Sequence, residues 1–375
     1  MQCLGGKVVM PFPKAQNERK TERCIMDKMG KYIYGVVNSS TEETFDMGKI
    51  TGFETASNSK TSNRAYTISF QNMAAVVSDS EIVDYSHIPK DTLGRCLVKH
   101  QTVIEKIMKD HTIIPMKFGT FASDETEVAQ VLKRGYSQFK ELLIDMDGRI
   151  ELDVAATWDD LGTRIKEIGA EDKQIREFKA EIAKKPPNET LQDKIKIGMM
   201  IKDALDKRKE KEQAYVINFL KEVTVDFQKH QVMDDNMILN CAFLLERTKE
   251  PDFDSGLKKL DEEYKQKVHF KCVGPLPPYS FATCQLKKVD YSEISEARKL
   301  LGLKERASLE GIKESYRQFA QRNHPDRDPE NNQLKEEFEK TTKAYKLLTN
   351  CCQQDGIPFE DEKKEDFIMV EIVRP

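Results

Sequence analysis

From Leu161 to about Gln231 the chain is charged and apolar only at helix-compatible intervals, and one Pro186-Pro187-Asn188 break interrupts it. Ile165, Ile168, Ile175, Phe178 and Ile182 carry the spacing before the break. Leu191, Ile195, Ile201, Leu205, Val216, Phe219 and Leu220 carry it afterwards. Apolar residues recurring every three or four positions predict helices with one buried face, and adjacent prolines end a helix by removing donors and clashing with the preceding turn. The stretch therefore reads as a long helical hairpin that projects from a larger domain. Its many lysines and glutamates fit either a solvated face laced with i,i+4 pairs or a partner surface.

Strand-forming segments flank the hairpin. "KYIYGVV" (31–37), "AYTISFQNMAAVVSD" (65–79) with "EIVDYS", and "TIIPMKFGTF" (112–121) are rich in β-branched and aromatic residues. A helix starting near Asp91 separates the second from the third, with Leu93, Cys96, Leu97, His100, Val103, Ile104 and Ile107 along one face. Asp124, followed three residues later by Glu127, signals the capped start of another helix. The strand "IELDVAATW" (150–158), the strand "MILNCAFLLER" (237–247), the helix "DSGLKKLDEEYKQKV" (254–268) and the strand-like 269–286 complete a small sheet covered by helices. The expected fold class is α+β: two α+β domains, the second ferredoxin-like with the long hairpin, then a small all-α helical pair.

A length of 375 residues favours two or three domains. A net charge of -4 gives no argument for nucleic-acid binding. No run of about 18 apolar residues supports a membrane span. Eight cysteines show no CxxC and no Cys/His ligand spacing, so reduced thiols in a cytoplasmic protein are expected, with no metal site and no cofactor. No nucleophile–base pair or carboxylate dyad points to a catalytic residue. Residues 1–30 are expected to be a disordered leader.

Six motifs follow one another in order: "YIYGVV", "HQTVIEKIM" (100–108), "IIPMKFGTF" (113–121), "GRIELDVAATWDD" (148–160), "NCAFLLER" (240–247) and "GPLPPYSF" (274–281). Together they resemble the GvpF/GvpL family of gas-vesicle accessory proteins over about two thirds of the chain. The strongest matches are Pro115, Phe118, Gly119 and Thr120, and the element Gly274, Pro275, Pro277, Pro278, Tyr279 and Phe281. Leu276 stands where the family usually has an aromatic residue. Read as chemistry, these are structural positions. The prolines stiffen an extended, polyproline-like segment that presents Tyr279 and Phe281 to a core, and Gly119 permits a tight turn.

The second resemblance lies at 292–350. "ISEARKLLGL" (294–303) and "RASLEGIKESYRQFAQRN" (306–323), with Ser308 as N-cap, precede His324-Pro325-Asp326. Leu309, Ile312, Tyr316, Phe319 and Ala320 form the stripe of one helix; Leu334, Phe338, Thr341, Tyr345 and Leu348, with Ala344 alongside, form that of the next. The Leu301-Gly302 dipeptide, Tyr316-Arg317, the His-Pro-Asp turn, Phe338 and Ala344-Tyr345 resemble the J domain of DnaJ-type co-chaperones. Ala297 and Arg298 replace the tyrosine pair usual before Leu-Gly, and Gly311 replaces a common glutamate. The resemblance implies that His324, Pro325, Asp326, Lys313, Arg317, Arg322 and Arg327 dock a DnaK-type chaperone and stimulate its ATP hydrolysis.

The expected domains are 1–30 (leader), 31–146 and 147–288 (the two GvpF/GvpL-like α+β domains), 292–352 (J-like) and 353–375 (an acidic then apolar tail). "KKVDYSE" (287–293) reads as a mobile linker, and "FIMVEIV" (367–373) as either an added strand or a sticky binding segment. The resemblances imply a non-enzymatic assembly factor that binds the gas-vesicle shell subunit and other accessory proteins, recruits a DnaK-type chaperone, and is cytoplasmic in association with gas vesicles. Two alternatives stand beside it: a minor structural component or nucleator of the vesicle, and a J-domain co-chaperone for an unrelated client.

Overall fold

The computed structural model describes residues 29–47, 64–186, 190–304, 306–325, 331–352, 357–358 and 367–373. Most of the expected leader lies outside these residues, but Met29 and Gly30 already belong to the first strand. That strand, β1 (Met29–Val37), sits inside a mixed-length antiparallel sheet with β2 (Thr44–Asp46), β3 (Arg64–Phe70) and β4 (Met73–Glu81). The strand-forming run at 65–79 is a hairpin, turned at Gln71-Asn72 with Gln71 at φ 55°. Helix α1 (Lys90–Ile107) covers one face. The third expected strand divides into β5 (Ile113–Pro115) and β6 (Phe121–Ala122), both paired with β1, because Gly119 at φ 81° turns the chain between them. Helix α2 (Glu125–Asp145) covers the other face. Asp124 caps it, accepting from the Glu127 amide at 2.9 Å, while Glu127 reaches back to the Ser123 amide.

The second unit begins at β7 (Arg149–Trp158). Three helices follow where two were expected: α3 (Leu161–Glu171), α4 (Lys173–Ile182) and α5 (Leu191–Leu220). The carboxylate of Asp172 accepts from the Ile175 amide, so a new helix starts there and the first arm splits. The helical reading to Gln231 is also corrected. Helix α5 stops at Leu220, and the β-branched "VTVDFQK" leads into β8 (Asp226–Lys229). Strand β9 (Met237–Glu246), α6 (Glu250–Tyr264) and β10 (Val268–Leu276) finish the unit. The sheet order is β10-β7-β9-β8, antiparallel throughout. Counting only its own strands, this is 4-1-3-2 in a strand–helix–strand–strand–helix–strand chain, a ferredoxin-like arrangement.

Alternation along β7 and β9 shows how this sheet is used. Ile150, Leu152, Val154, Ala156 and Trp158, with Leu239, Cys241, Phe243 and Leu245, face the helices. Ala242 and Leu244, on the opposite face of β9, join the core beneath α2. A sheet buried on both faces cannot alternate cleanly between apolar and polar residues, and this one reads as a nearly continuous apolar run at 237–245.

After β10 a short helix α7 (Tyr279–Ala282) leads into β11 (Thr283–Val289), then α8 (Tyr291–Leu300), β12 (Arg306–Ala307), α9 (Leu309–Asn323), α10 (Asn332–Cys351), β13 (Ile357–Pro358) and β14 (Phe367–Val373). The expected extended segment presenting Tyr279 is thus a helical turn. The expected linker is strand plus helix, with Asp290 as the single residue between them and N-cap of α8. "FIMVEIV" is an added strand, pairing with β11 over seven residue pairs from Thr283↔Val373 to Val289↔Phe367.

This two-stranded ribbon has two apolar faces. Cys284, Leu286, Ile368 and Val370 pack into the core beneath α2. Val289 and Met369 pack into the core of α8, α9 and α10 with Ile294, Ala297, Leu301, Ile312, Ala344 and Leu348. Because side chains alternate along a strand, one ribbon closes two cores at once. Truncating Ile368 or Met369 to Ala is expected to cost about 2–5 kcal/mol each, the range for buried large aliphatic residues. Limited proteolysis distinguishes them: Met369→Ala should expose first cuts within 291–352, and Ile368→Ala first cuts within α2 or β11.

Candidate functional site

Two places gather the residues singled out in the sequence. The first is the joint between the two sheets. Pro115 lies buried in β5 opposite Gly35. Half-buried Phe118 stands edge-on to His100 with centroids 5.7 Å apart, and packs at 4.5 Å on Tyr85. The Gly119 amide donates to the Tyr32 hydroxyl at 3.1 Å, and the Thr120 hydroxyl donates to the Lys117 carbonyl at 2.6 Å. The Lys117 amide donates at 2.7 Å to the carbonyl of Cys284, and Met116 forms a bridge to the same residue. The Pro115–Thr120 element is therefore stitched to the strand that begins just after "GPLPPYSF".

That second element is shaped by Gly274. Its φ of 152° and a would-be Cβ only 2.5 Å from the Leu152 side chain exclude any other residue without rearrangement. The β7–β10 register slips between Val273 and Leu276 at this point, and Gly274 and Pro275 lie exposed on the bulge. Leu276, Pro277 and Pro278 are buried, Tyr279 is half-buried against the α1 core, and Phe281 enters the α2 core.

Between the two motifs lies a buried polar cluster that the sequence reading missed. Glu151 is 1% exposed; its carboxylate accepts from the Ser280 amide at 2.8 Å and from the Ser280 hydroxyl at 2.9 Å. His230 Nε2 lies 3.1 Å from the same hydroxyl. Burial pushes the Glu151 carboxyl up to about 8, opposed by the Ser280 amide and reinforced by neighbouring Asp153. Burial also raises Asp153. Glu151 and Asp153 share the β7 face opposite the helix-facing residues, where Glu151 is buried and Asp153 half-buried. Serine, histidine and carboxylate here do not form a nucleophilic relay. The carboxylate binds the hydroxyl directly, the imidazole does not stand between them, and the hydroxyl is buried. The cluster cross-links β7, α7 and the segment after β8.

A second histidine, this one buried, has a comparable role. His100 Nδ1 lies 2.8 Å from the Tyr32 hydroxyl, and burial lowers its pKa to about 4, so it is a neutral core group at pH 7. Asp124, far from His100 in sequence, is the helix cap described above. Cys241, Cys284 and Cys351 are buried, and burial pushes each thiol up to about 12, far from the thiolate a nucleophile needs. Among the described residues no group of three His, Cys, Asp or Glu could hold a metal ion, and no helix is long and apolar enough to cross a membrane.

The second place is the helical module. Gly302 at φ 61° closes α8, with the Leu303 amide donating to the Arg298 carbonyl at 3.1 Å, the six-to-one bond of a left-handed helix terminus. Ser308 caps α9, accepting from the Gly311 amide at 3.1 Å. Helices α9 and α10 then join through rings: Tyr316 stacks on Tyr345 at 4.2 Å, and Phe319 on Phe338 at 6.2 Å. Within the expected stripes only Ile312, Thr341, Ala344 and Leu348 are buried. Tyr316, Phe319, Ala320, Leu334, Phe338 and Tyr345 are intermediate, and Leu309 is exposed because two helices cover only a narrow seam.

His324 ends α9 in extended conformation, exposed, with its ring edge-on to Phe338 at 5.4 Å. Pro325 is half-buried, and Asp326 and Arg327 lie outside the described residues. Lys313, Arg317 and Arg322 are all exposed on α9. Arg317 pairs with Glu314 at 2.8 Å within the helix, an exposed pair worth little.

Comparison with known proteins matches residues 30–283 to the family described as "Gas vesicle synthesis protein GvpL/GvpF", and residues 296–354 to the DnaJ domain. Gas vesicle protein F1 of Halobacterium salinarum is 22% identical over 253 residues, covering 67% of this chain and 91% of that protein. The crystal structure of GvpF from Anabaena sp. PCC7120 superposes with a TM-score of 0.56 at 22% identity, over 68% of this chain and 98% of that one; it supports the fold. The chaperone protein DnaJ of a Wolbachia species is 40% identical over 58 residues, 16% of each chain.

The joint predicts a pH dependence. An unfolded glutamate loses its proton near about 4.3, whereas folded Glu151 keeps it to about 8. Its contribution to stability is complete below the lower value and is lost as pH rises through the higher. Raised Asp153 acts in the same direction. Urea denaturation should therefore show the unfolding equilibrium constant of the unmodified chain rising by about tenfold or more relative to that of Glu151→Gln between pH 5 and 8.5. A difference independent of pH would contradict the assignment.

Proposed function

The chain belongs to the GvpL/GvpF family of gas vesicle synthesis proteins and continues into a DnaJ domain, and on that premise we propose that it is a non-enzymatic assembly factor. Its family portion binds the shell subunit or other accessory proteins, and its J domain brings a DnaK-type chaperone to them. The vesicle is where it works, and ATP hydrolysis belongs to the chaperone. In this proposal residues 292–352 are the recruiting unit, with β14 of the tail completing its core.

One observation carries the reading: the helical module packs on one face of the β11–β14 ribbon whose other face closes a family core, while α9 keeps Lys313, Arg317, Arg322 and His324 exposed. Exposed basic groups, with Lys313 and Arg317 one turn apart, suit an acidic surface and speed its association. In this proposal Pro325, Asp326 and Arg327 complete the docking turn. The prolines, glycine and aromatic residues of the two family motifs act as structural positions around the joint. A shell protein with exposed apolar surface aggregates unless held before it polymerises, and a fused recruiter raises the local concentration of the chaperone at the client.

The test uses the full chain with Asp326→Asn. Steady-state ATP hydrolysis by a purified DnaK-type chaperone should fall to its unstimulated rate, and vesicle yield from a reconstituted assembly operon should fall with it. Unchanged stimulation would sink the docking assignment. Lost stimulation with normal yield would separate chaperone recruitment from assembly. Recovery of the protein in stoichiometric amount with washed vesicles would favour a structural component instead.

A further inference from the structure

Helix α5 is apolar on two sides along its first half. Ile197, Met200, Ile201 and Ala204 pack toward the core that buries Leu205. Leu191, Ile195 and Met199, one turn apart, face solvent at 70%, 53% and 63% exposure. The sequence reading had placed Leu191 and Ile195 on the buried stripe, which the structure corrects. Three aligned apolar side chains span about 12 Å of helix. A helix apolar on both sides normally has neighbours on both, and among the described residues nothing covers the outer ridge.

The charges flanking residues 191–202 are mainly basic, and Asp203 and Asp206 bound the ridge beyond Met199. Exposed Lys194, Lys196 and Lys202 flank it. Asp193 is turned away into an ion pair with Lys185 at 2.7 Å, and Lys196 is held over the Phe178 ring at 4.8 Å. Exposed Glu177 and Glu181 lie on α4, not on the ridge. In a chain whose net charge is -4, residues 191–202 carry three lysines and one aspartate.

We propose that the Leu191–Ile195–Met199 ridge is a docking seam for an amphipathic helix of a protein partner whose apolar stripe is flanked by carboxylates. Spacing of i, i+4, i+8 presents one ridge, which fits the groove of a second helix. A second copy of this chain is a poor occupant, since ridge against ridge sets the three lysines against their own counterparts. A lipid surface is also a poor fit: the apolar strip is one residue wide, and the same face continues into exposed Asp203 and Asp206. The seam is independent of the J-domain reading and concerns a different partner surface.

Fluorescence anisotropy of the full chain with a labelled 18-residue helical peptide tests this. The probe carries leucines on one face and glutamates beside them; a matched control has lysines for the glutamates. The acidic peptide should bind and weaken with salt, and Ile195→Asp with Met199→Asp should weaken it at least about tenfold. Lys194→Glu with Lys202→Glu, which spares the ridge, should transfer the preference to the lysine peptide. Equal binding of both peptides, no binding, or indifference to both pairs of substitutions would overturn the proposal. So would co-sedimentation with phosphatidylserine vesicles, or concentration-dependent dimerisation, abolished by the ridge substitutions.

Discussion

The pairing of β11 with β14 is the constraint on which the rest of the molecule depends. Seven residue pairs bring together segments at 283–289 and 367–373, and the alternation of a strand sends their side chains to opposite sides. Ile368 and Val370 complete the core under α2, whereas Met369 and Val289 complete the core of α8, α9 and α10. Neither core is closed without the ribbon. A recruiting module attached by a long tether would sample many positions, but here only Asp290 separates strand from helix. The exposed face of α9 is consequently held in a defined relation to the family portion, and the function proposed for the chain uses that relation.

A second joint fixes the family portion itself. The Glu151 carboxyl receives both the amide and the hydroxyl of Ser280, and the Lys117 amide bonds to Cys284. Glu151 and Ser280 are tolerated in the interior because they bond each other; an unmet partner costs the full desolvation. Gly274 lets β10 bulge away so that Pro277 and Pro278 can turn the chain toward the other sheet. The two strongest family motifs thus meet at one seam, and their residue types follow from geometry there without any catalytic demand.

Much of this was legible in the sequence where the signal is local. The Asp124 and Ser308 caps and the positions of β7 and β9 follow from capping chemistry and periodicity, whereas the helix expected at 254–268 lies at Glu250–Tyr264. What escaped was decided over long distances or by single side chains. Asp172 looked like one more charge on a helix until its carboxylate took the Ile175 amide and started a new one. The four residues of β8 were absorbed into the charged run before them, because a short edge strand carries too little pattern. Nothing near 367–373 names Thr283–Val289 as its partner, so its two readings stayed open until the ribbon was seen. Leu191 and Ile195 had the right spacing for a core stripe, and periodicity cannot tell which of two apolar faces the body covers.

Amide hydrogen exchange on the intact chain tests the central claim most directly. The account predicts that amides of 284–288 and 368–372 exchange slowly and together, with protection comparable to β7 and β9, and that protection of α10 falls when 367–375 are removed. Fast exchange of both strands in the intact chain, with α10 equally protected whether or not 367–375 are present, would contradict it.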